Sequence, residues 1–196
     1  MSSYTDKTYI VFLDLPSDIQ SKIDPIRKKY SPGRHKKWPT HTTFKQDEDF
    51  LLSDSQISKI TQDYFKNISS IKLTIDEPQI KYYLDNDNWN IHLAISGANY
   101  FKKCIKEFSI LLEKFIDGKS PNAFGSTKWE QGDDFYPHIS LKGGSSKEAG
   151  AKMFSEIINE DFKIDFPIET KCQSVTLAKW HIDQWQELLK IKLQDG

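Results

Sequence analysis

The spacing of apolar residues switches repeatedly along the chain between a period of about two and a period of about 3.6, which indicates alternating strands and helices. The same order of elements occurs twice. The first round is predicted as a strand at 7–15, a helix at 17–30, a strand at 40–45, a helix at 53–67 and strands at 70–76 and 79–84. The second round is predicted as a strand at 89–96, a helix at 99–117, a strand at 137–142, a helix at 147–160 and strands at 162–168, 173–180 and 185–192.

This repeated order predicts a duplicated α+β fold. Strands and helices do not alternate strictly, which favours α+β with helices packed on the outer faces of sheets. Duplication into two lobes explains the two similar rounds most simply. We therefore expect one domain over residues 1–196, with lobes at roughly 7–84 and 89–192, and exchange of strands between the lobes stays open. A single core of this size is stable without a metal or a disulfide.

The composition is that of a soluble globular chain. Hydrophobic residues make up 37% and charged residues 28%, and no apolar run is long enough for a membrane helix. The opening segment MSSYTDKTYIVFLDLP lacks the features of a secretory signal, and two cysteines are too few for a disulfide framework, so we expect a cytoplasmic location. The net charge of -1 argues against a large polyanion footprint and favours a small or locally bound anionic ligand.

One basic run departs from this near-neutral balance. The segment RKKYSPGRHKK, residues 27–37, contains most of the positive charge in its neighbourhood. It fits a solvated helix end followed by a loop, because Lys and Arg are favoured near a helix C-terminus. It fits equally well a rim that attracts phosphate groups. The sequence leaves these two interpretations open.

A short motif occurs once in each half of the chain. The segments are PTHTTFK at 39–45 and YPHISLK at 136–142. Each contains a histidine, a spacer, a hydroxyl residue, an apolar residue and a lysine. The chain has five histidines, so one histidine with a nearby hydroxyl would mean little. The shared apolar residue and lysine, together with the strand setting and the similar flanking elements, favour a functional pair.

The motif places two kinds of polar side chain on one face of each strand. Because side chains alternate along a strand, His41 and Thr43 should share a face, as should His138 and Ser140, with the apolar neighbours turned to the core. Two such strands facing each other would line a cleft. One imidazole then takes a proton from the nucleophile, the other gives one to the leaving oxygen, and the hydroxyls donate to nonbridging oxygens. Histidine suits both transfers because its pKa is near neutrality.

The segments His41-Thr42-Thr43-Phe44 and His138-Ile139-Ser140-Leu141 resemble the paired H-x-[ST]-x motifs of the 2H phosphoesterase superfamily, which includes 2'-5' RNA ligase-like proteins and cyclic nucleotide phosphodiesterases. The opening YIVFLDLPSDIQSKIDPIRKKY also resembles the first strand and helix of that superfamily, so the resemblance covers nearly the whole chain. It implies a bilobal fold in which two antiparallel sheets line a central cleft, with helices outside. It also implies metal-independent catalysis by the two histidines, assisted by Thr43 and Ser140, without a cofactor.

Five further residues are candidates for substrate binding. Lys45 and Lys142 continue the cleft-facing alternation and fit either a phosphate contact or a solvated strand end. Trp38 and Tyr136 precede the two histidines and fit either stacking on a base or packing around the prolines. His92 lies opposite the apolar face of its strand and fits either a ligand contact or a satisfied polar role.

A long segment at 117–134 separates the second motif from the preceding helix. It is predicted as a loop, and loops of this length are usually functional or mobile. Its Trp129 fits either closure over a ligand or simple packing. Phe135, directly after it, fits either base stacking or packing around the proline of the motif.

These residues together predict a hydrolase that cleaves a 2'-linked or cyclic phosphodiester of a nucleotide or RNA. The bond is a 2',3'-cyclic phosphate, a 2'-5' linkage or a cyclic oligonucleotide bond, and the sequence does not decide which histidine is the acid. Two alternatives are an RNA- or nucleotide-binding module with weak or no catalysis, and a 3'-to-5' RNA end-trimming exonuclease. The exonuclease would need a longer basic track. We expect a nucleotide or short RNA as partner, no membrane, no obligate protein partner, and a monomer.

Overall fold

The computed structural model describes residues 5–83, 88–117, 136–161 and 164–196. The strands in these ranges are β1 (Thr8–Asp14), β2 (His41–Asp49), β3 (Ile71–Tyr83), β4 (Asn88–Ser96), β5 (His138–Ser145), β6 (Ile168–Cys172), β7 (Ser174–His181) and β8 (Gln184–Lys192). The helices are α1 (Ser17–Tyr30), α2 (Pro32–Lys37), α3 (Asp54–Phe65), α4 (Asn99–Glu113) and α5 (Lys147–Glu156), which continues into a π-helical turn (Ile157–Asp161). No helix in the described ranges is long and apolar enough to cross a membrane.

The strands form two four-stranded sheets. The first has the order β2-β1-β7-β8 and the second the order β5-β4-β3-β6. All neighbouring strands are antiparallel. The predicted α+β fold, with two antiparallel sheets lining a central cleft, is confirmed. The first sheet joins the first two strands of the chain to the last two, and the second sheet holds the four strands between them.

The central strand β1 separates two apolar environments. Tyr9, Val11 and Leu13 face the main core, in which both sheets and the helices bury their apolar side chains. Ile10 and Phe12 alternate with them and pack in a second, smaller cluster on the other face of the sheet. That second face is where the first motif lies.

Phe44 anchors β2 in the main core. Its ring centroid lies 4.7 Å from that of Phe65 on α3, and 5.3 Å and 5.9 Å from those of Phe101 and Phe108 on α4. Complete burial of one phenylalanine contributes about 1.5–3 kcal/mol. The aromatic contacts therefore fix the strand whose opposite face carries His41 and Thr43.

Side-chain caps define the starts of two helices. Ser53 accepts a hydrogen bond from the backbone N–H of Gln56, whose side chain accepts one from the backbone of Ser53, which together form a capping box at the start of α3. Ser146 accepts from the backbone N–H of Ala149 and so caps α5, the helix that follows the second motif.

Several predicted elements differ from the structure. The basic run at 27–37 begins with the end of a helix, as one interpretation predicted, because Arg27, Lys28 and Lys29 lie in the last turn of α1, but α2 takes the place of the loop that was expected to follow. The two strands predicted at 70–76 and 79–84 are one strand, since Pro78 is accommodated at an irregularity in the pairing with β4. Residues 164–167 of the strand predicted at 162–168 are not in a strand, because Pro167 cannot donate to a ladder. The predicted loop at 117–134, apart from residue 117, lies outside the described residues, as do Trp129 and Phe135.

Candidate active site

The two motif strands occupy equivalent places in the two sheets. β2 begins at His41 and is the edge strand next to β1, and β5 begins at His138 and is the edge strand next to β4. β2 and β5 also contact each other, so the two edges meet. The structure thereby brings both motifs to one region of the molecule, although 97 positions separate the two histidines in the sequence.

Burial follows the predicted alternation along both motifs. The residues turned to the core are Thr42, Phe44, Ile139 and Leu141, and each is at most 2% exposed. The four candidate catalytic residues, His41, Thr43, His138 and Ser140, are half-buried. A shift of one residue would reverse these two sets. The expected register of both strands is therefore confirmed.

The imidazoles of His41 and His138 are held in the same way. Nδ1 of His41 lies 2.6 Å from the carbonyl oxygen of Pro39, and Nδ1 of His138 lies 3.2 Å from that of Tyr136. A carbonyl oxygen only accepts hydrogen bonds, so Nδ1 carries the proton in both rings. In the neutral form the lone pair is then on Nε2. Each ring accordingly directs the nitrogen that can accept a proton away from its own backbone.

Aromatic rings surround His41. Its ring centroid lies 4.1 Å from that of Phe12 and 5.8 Å from that of Trp38, which is stacked on it with an interplanar angle of 21°. Trp38 in turn meets Trp185 at 4.9 Å, and Trp185 meets Trp180 at 5.3 Å. We call Phe12, Trp38, Trp180 and Trp185 the tryptophan wall. Trp38, predicted as a stacking or packing residue, thus packs directly on the first histidine.

A polar network fixes the residue before His41. The Arg27 guanidinium, which is 3% exposed, donates from Nη1 to the Thr40 hydroxyl at 2.7 Å. That hydroxyl donates in turn to the Asp24 carboxylate. Part of the basic run is therefore structural, because Arg27 ties α1 to the start of β2.

His138 lies in a cluster of three rings. The His92 ring centroid is 5.1 Å from that of His138, and the Tyr136 centroid is 5.2 Å from it. His92 is only 2% exposed, and its Nδ1 donates to the carbonyl of Asn90. Burial lowers the pKa of His92 and the Lys81 ammonium acts in the same direction, although the bond to Asn90 raises it. The His92 ring is therefore neutral at neutral pH and packs beside His138.

The two candidate hydroxyls have different surroundings. Ser140 lies opposite His92 in the pairing of β4 with β5, and its oxygen accepts a hydrogen bond of 3.1 Å from Nδ2 of Asn90. The O–H group of Ser140 can therefore still donate a hydrogen bond. Thr43 lies opposite Phe12 in the pairing of β1 with β2.

Lys45 is not at a solvated strand end, which was one of its two predicted settings, and its role as a phosphate contact stays a prediction. Its side chain is 1% exposed, and its ammonium lies 6.0 Å from the ring centroid of the core residue Phe50. The pairing of β1 with β2 is irregular on both sides of Val11, the residue opposite Lys45, so the simple alternation fails there. Lys142 is half-buried on β5 and lies beside a similar irregularity, and its role as a phosphate contact stays a prediction.

A cavity of about 550 Å³ lies beside the His92 and Tyr136 rings. It is lined by Gln79, Ile80, Lys81, Tyr82, His92, Tyr136 and Lys147. Two of its residues, His92 and Tyr136, are those that contact the His138 ring. The cavity therefore opens next to the second histidine of the candidate site.

Sequence reasoning missed the neighbours that come from other strands. Asn90 and Lys81 reach the site through strand pairing. Trp180 and Trp185 form a pair across the turn between β7 and β8, and their symmetric placement about that turn was a usable signal. These two tryptophans lie near His41, through Trp38, only because β1 pairs with β7. The sequence does not reveal that pairing. Among the described residues, no three His, Cys, Asp or Glu side chains are arranged to hold a metal ion.

Comparison with solved structures identifies the class of fold. E. coli LigT, crystallised with NADP+, matches 97% of this chain and 99% of its own chain with a TM-score of 0.56 and 15% identity. TT0787 of Thermus thermophilus matches 96% and 98% with a TM-score of 0.60 and 12% identity. Kluyveromyces marxianus Usb1 matches 97% and 99% with a TM-score of 0.53 and 10% identity. No protein-family model and no curated protein matches the chain.

These solved structures are members of the 2H phosphoesterase superfamily, and the chain has their fold over nearly its whole length. The resemblance drawn from the two motifs is confirmed at the level of the fold. Because one fold supports several functions, the activity has to be argued from the site itself.

Proposed function

We propose that this chain is a metal-independent phosphodiesterase that acts on 2'-linked or cyclic phosphodiesters of nucleotides or RNA. Its substrate bond is a 2',3'-cyclic phosphate, a 2'-5' linkage or a cyclic oligonucleotide bond. His41 and His138 act as general acid and base, and Thr43 and Ser140 donate hydrogen bonds to the nonbridging oxygens. No cofactor takes part. Ligation at the same site is the same displacement with the 5'-hydroxyl of a second strand, in place of water, attacking a 2',3'-cyclic phosphate.

The observation that carries the proposal is the matched setting of the two histidines. Both begin edge strands that contact each other, and both donate Nδ1–H to the carbonyl two residues earlier. Two imidazoles with the same orientation relative to their own strands, on two strands that contact each other, support the proposal of an acid and a base on opposite sides of one phosphorus atom.

Hydrolysis then proceeds with balanced proton transfers. One imidazole removes a proton from water as the water oxygen bonds to phosphorus. The other, which enters protonated, gives its proton to the ribose oxygen as the phosphorus–oxygen bond breaks. The Thr43 and Ser140 hydroxyls stabilise the negative charge that develops on the nonbridging oxygens.

A nucleotide ligand is supported by the rings next to both histidines. The tryptophan wall beside His41 offers faces on which any base can stack, a contact worth about 1–3 kcal/mol for each base. Tyr136 offers a ring beside His138. LigT has been solved with NADP+, with 3'-AMP and with ATP, so a protein of this fold binds nucleotides.

The test is phosphorus NMR of 2',3'-cyclic AMP incubated with the purified protein in excess EDTA. We expect conversion by the wild type, and a loss of about 10²–10⁴-fold in rate for His41→Ala and for His138→Ala. The position of the product phosphate identifies the bond that breaks. His181→Ala, which changes an exposed histidine at the end of β7, is the matched control and should retain activity.

Two results would contradict the proposal. Equal rates for the wild type and both motif variants would exclude the two-histidine mechanism. Binding of nucleotides without conversion of cyclic phosphates, 2'-5' oligonucleotides or cyclic dinucleotides would favour the alternative function, a nucleotide-binding module.

A further inference from the structure

The segment that leads into the first motif is a short connection between two elements. α2 ends at Lys37 and β2 begins at His41, so residues 38–40 join them. Pro39 is exposed, and its carbonyl oxygen is the acceptor for Nδ1–H of His41. That carbonyl is part of the peptide group that joins Pro39 to Thr40. The contacts that fix Thr40 therefore also fix the acceptor that sets the tautomer of His41.

Thr40 is fixed through its side chain. The residue is 3% exposed, and its hydroxyl accepts a hydrogen bond of 2.7 Å from Nη1 of Arg27 and donates one to the Asp24 carboxylate. Arg27 and Asp24 are three positions apart on α1 and so lie on one side of that helix. The two bonds fix the direction of the hydroxyl and tie the connection to α1.

The same carboxylate also faces α2. Oδ1 of Asp24 lies 4.0 Å from Nδ1 of His35, so Asp24 lies between α1, α2 and the connection. The Arg27 guanidinium is 3% exposed. A buried charge contributes little net stability, because the cost of removing it from water offsets its attraction to a partner. This favours a role for the network in positioning over a role in stability.

The second motif fixes the corresponding carbonyl without a side-chain network. The residue before His138 is Pro137, whose ring restricts its own φ angle and whose carbonyl accepts a hydrogen bond of 3.2 Å from the backbone N–H of Ile95. Thr40, in contrast, lies just before the pairing of β1 with β2, which ends at His41. The network at Thr40 therefore takes the place that proline and strand pairing have in the second motif.

We propose that Arg27 and Asp24 are positioning residues for His41 and act through Thr40. They fix the peptide group between Pro39 and Thr40, which keeps the proton of the neutral ring on Nδ1 and leaves Nε2 to exchange a proton with the substrate. The inference rests on the proposed function. The Nδ1–H form suits an acid that has given up its Nε2 proton and a base that has yet to take one, so the role holds for either assignment of His41.

Nitrogen NMR of the imidazole rings tests this role without requiring turnover. Long-range proton–nitrogen correlation spectra at about pH 8.5, well above the usual histidine pKa of about 6.5, distinguish Nδ1–H from Nε2–H in each neutral ring. The variant His41→Ala assigns the His41 signals. We expect Nδ1–H at His41 in the wild type. In Thr40→Val, which replaces the hydroxyl by a methyl group, and in Asp24→Ala, we expect a mixture of both tautomers.

Matched variants show whether the effect comes from the network. Thr40→Ser keeps the hydroxyl and should keep the wild-type tautomer. Asp18→Ala removes an exposed carboxylate from the first turn of α1 and should also keep it. His138, observed in the same spectra, should be unchanged in every variant. Circular dichroism checks folding, and Asp24→Ala, which changes a half-buried residue, provides the test if Thr40→Val does not fold.

Rates on 2',3'-cyclic AMP connect the tautomer to catalysis. We expect kcat to fall about ten- to a hundredfold in Thr40→Val and in Asp24→Ala, because part of the His41 population no longer has the reactive nitrogen free. KM should change little, since neither variant removes a contact with the substrate. Thr40→Ser and Asp18→Ala should keep kcat near that of the wild type.

The outcomes separate this inference from the proposed function. Nε2–H at His41 in the wild type, or the wild-type tautomer in both Thr40→Val and Asp24→Ala, would overturn it. A changed tautomer with an unchanged kcat would also overturn it. A tautomer change confined to His41, in a protein that hydrolyses no phosphodiester, would support the positioning of His41 by the network and contradict the proposed catalysis.

Discussion

Three histidines of this chain share one backbone contact but differ in burial. His41, His92 and His138 each have Nδ1 within 3.2 Å of the carbonyl oxygen two residues earlier. His92 is 2% exposed, whereas the other two are half-buried. The shared contact fixes the tautomer of all three rings. The buried His92 ring is therefore suited to packing, whereas the half-buried rings of His41 and His138 are suited to proton exchange with a ligand.

The burial of His92 predicts a pH dependence of stability. Because burial lowers its pKa in the folded state, and unfolding restores a value of about 6.5, the unfolded chain takes up a proton before the folded chain does. The free energy of unfolding should fall as pH drops below about 6.5, by at most about 1.4 kcal/mol per pH unit from this group, and the fall ends below the folded-state pKa. Urea unfolding at about pH 7.5 and about pH 5.5 measures it.

The variant His92→Gln should lose this component, so its stability should change less between the two pH values than that of the wild type. His181→Gln, which changes an exposed histidine, is the matched control and should keep the wild-type dependence. The same pH dependence in the wild type and in His92→Gln would contradict the prediction.

At the residue scale, strand alternation was enough to predict which motif side chains leave the core. His41, Thr43, His138 and Ser140 follow it because the pairing with the neighbouring strand is regular from each histidine to its hydroxyl residue, and the irregularities begin after them. Lys45 does not, because an irregular pairing near Val11 is a property of two strands and cannot be read from either one. Lys81 and Trp185 were missed for the same reason, since their place depends on which strands are neighbours.

At the scale of elements, one tryptophan joins the second sheet to α5. Trp89 of β4 lies beside Gly144 of β5 and Gly150 of α5. A Cβ atom built on Gly144 would lie 2.7 Å from Cζ2 of Trp89, and one built on Gly150 would lie 2.8 Å from Cγ. The indole nitrogen of Trp89 also donates to the carbonyl of Ser145 at 3.0 Å. The close approach of Gly150 to the Trp89 ring therefore positions α5 on the second sheet.

This packing predicts that Gly150→Ala destabilises the protein. Alanine is favoured over glycine in a helix by about 1 kcal/mol, but the clash with the indole should cost about 1–3 kcal/mol and reverse the sign. Gly33→Ala in α2 is the matched control. It has no atom within 4 Å of the added Cβ and should be neutral or stabilise by up to about 1 kcal/mol. Urea unfolding of both variants measures the difference, and equal effects would contradict the prediction.

The predictability of the elements depended on how local their signals are. The start of α3 was predicted because Ser53 and Asp54 are residue types favoured at helix N-termini, and the structure adds a capping box between Ser53 and Gln56. The short helix α2 was not predicted, because Pro32 and Gly33 in its first turn are usual in loops. β3 was predicted as two strands because Pro78 normally ends one, and only its pairing with β4 shows how the chain continues.

At the scale of the whole molecule, the order of strands ties the ends of the chain together. β1 pairs with β2 on one side and with β7 on the other, and six of its seven residues are buried. The setting of His41 therefore depends on residues from the last part of the chain, including Trp180 and Trp185. No local pattern in the sequence specifies this pairing, which is why the exchange of strands was left open.

This arrangement predicts that the chain folds as one unit. Deleting residues 173–196 removes β7 and β8, with the buried side chains of Val175, Leu177 and Ile191, and leaves β1 as an exposed edge. We expect the fragment 1–172 to lose cooperative urea unfolding and to bind an apolar dye. The reason is that apolar side chains of the first sheet, which β7 and β8 help to bury in the intact protein, become exposed to water. Deleting only residues 195–196 is the control and should preserve the transition. A cooperative transition in the longer deletion would show instead that the first 172 residues form an independent folding unit, and that the last two strands are an addition to a sheet already stable without them.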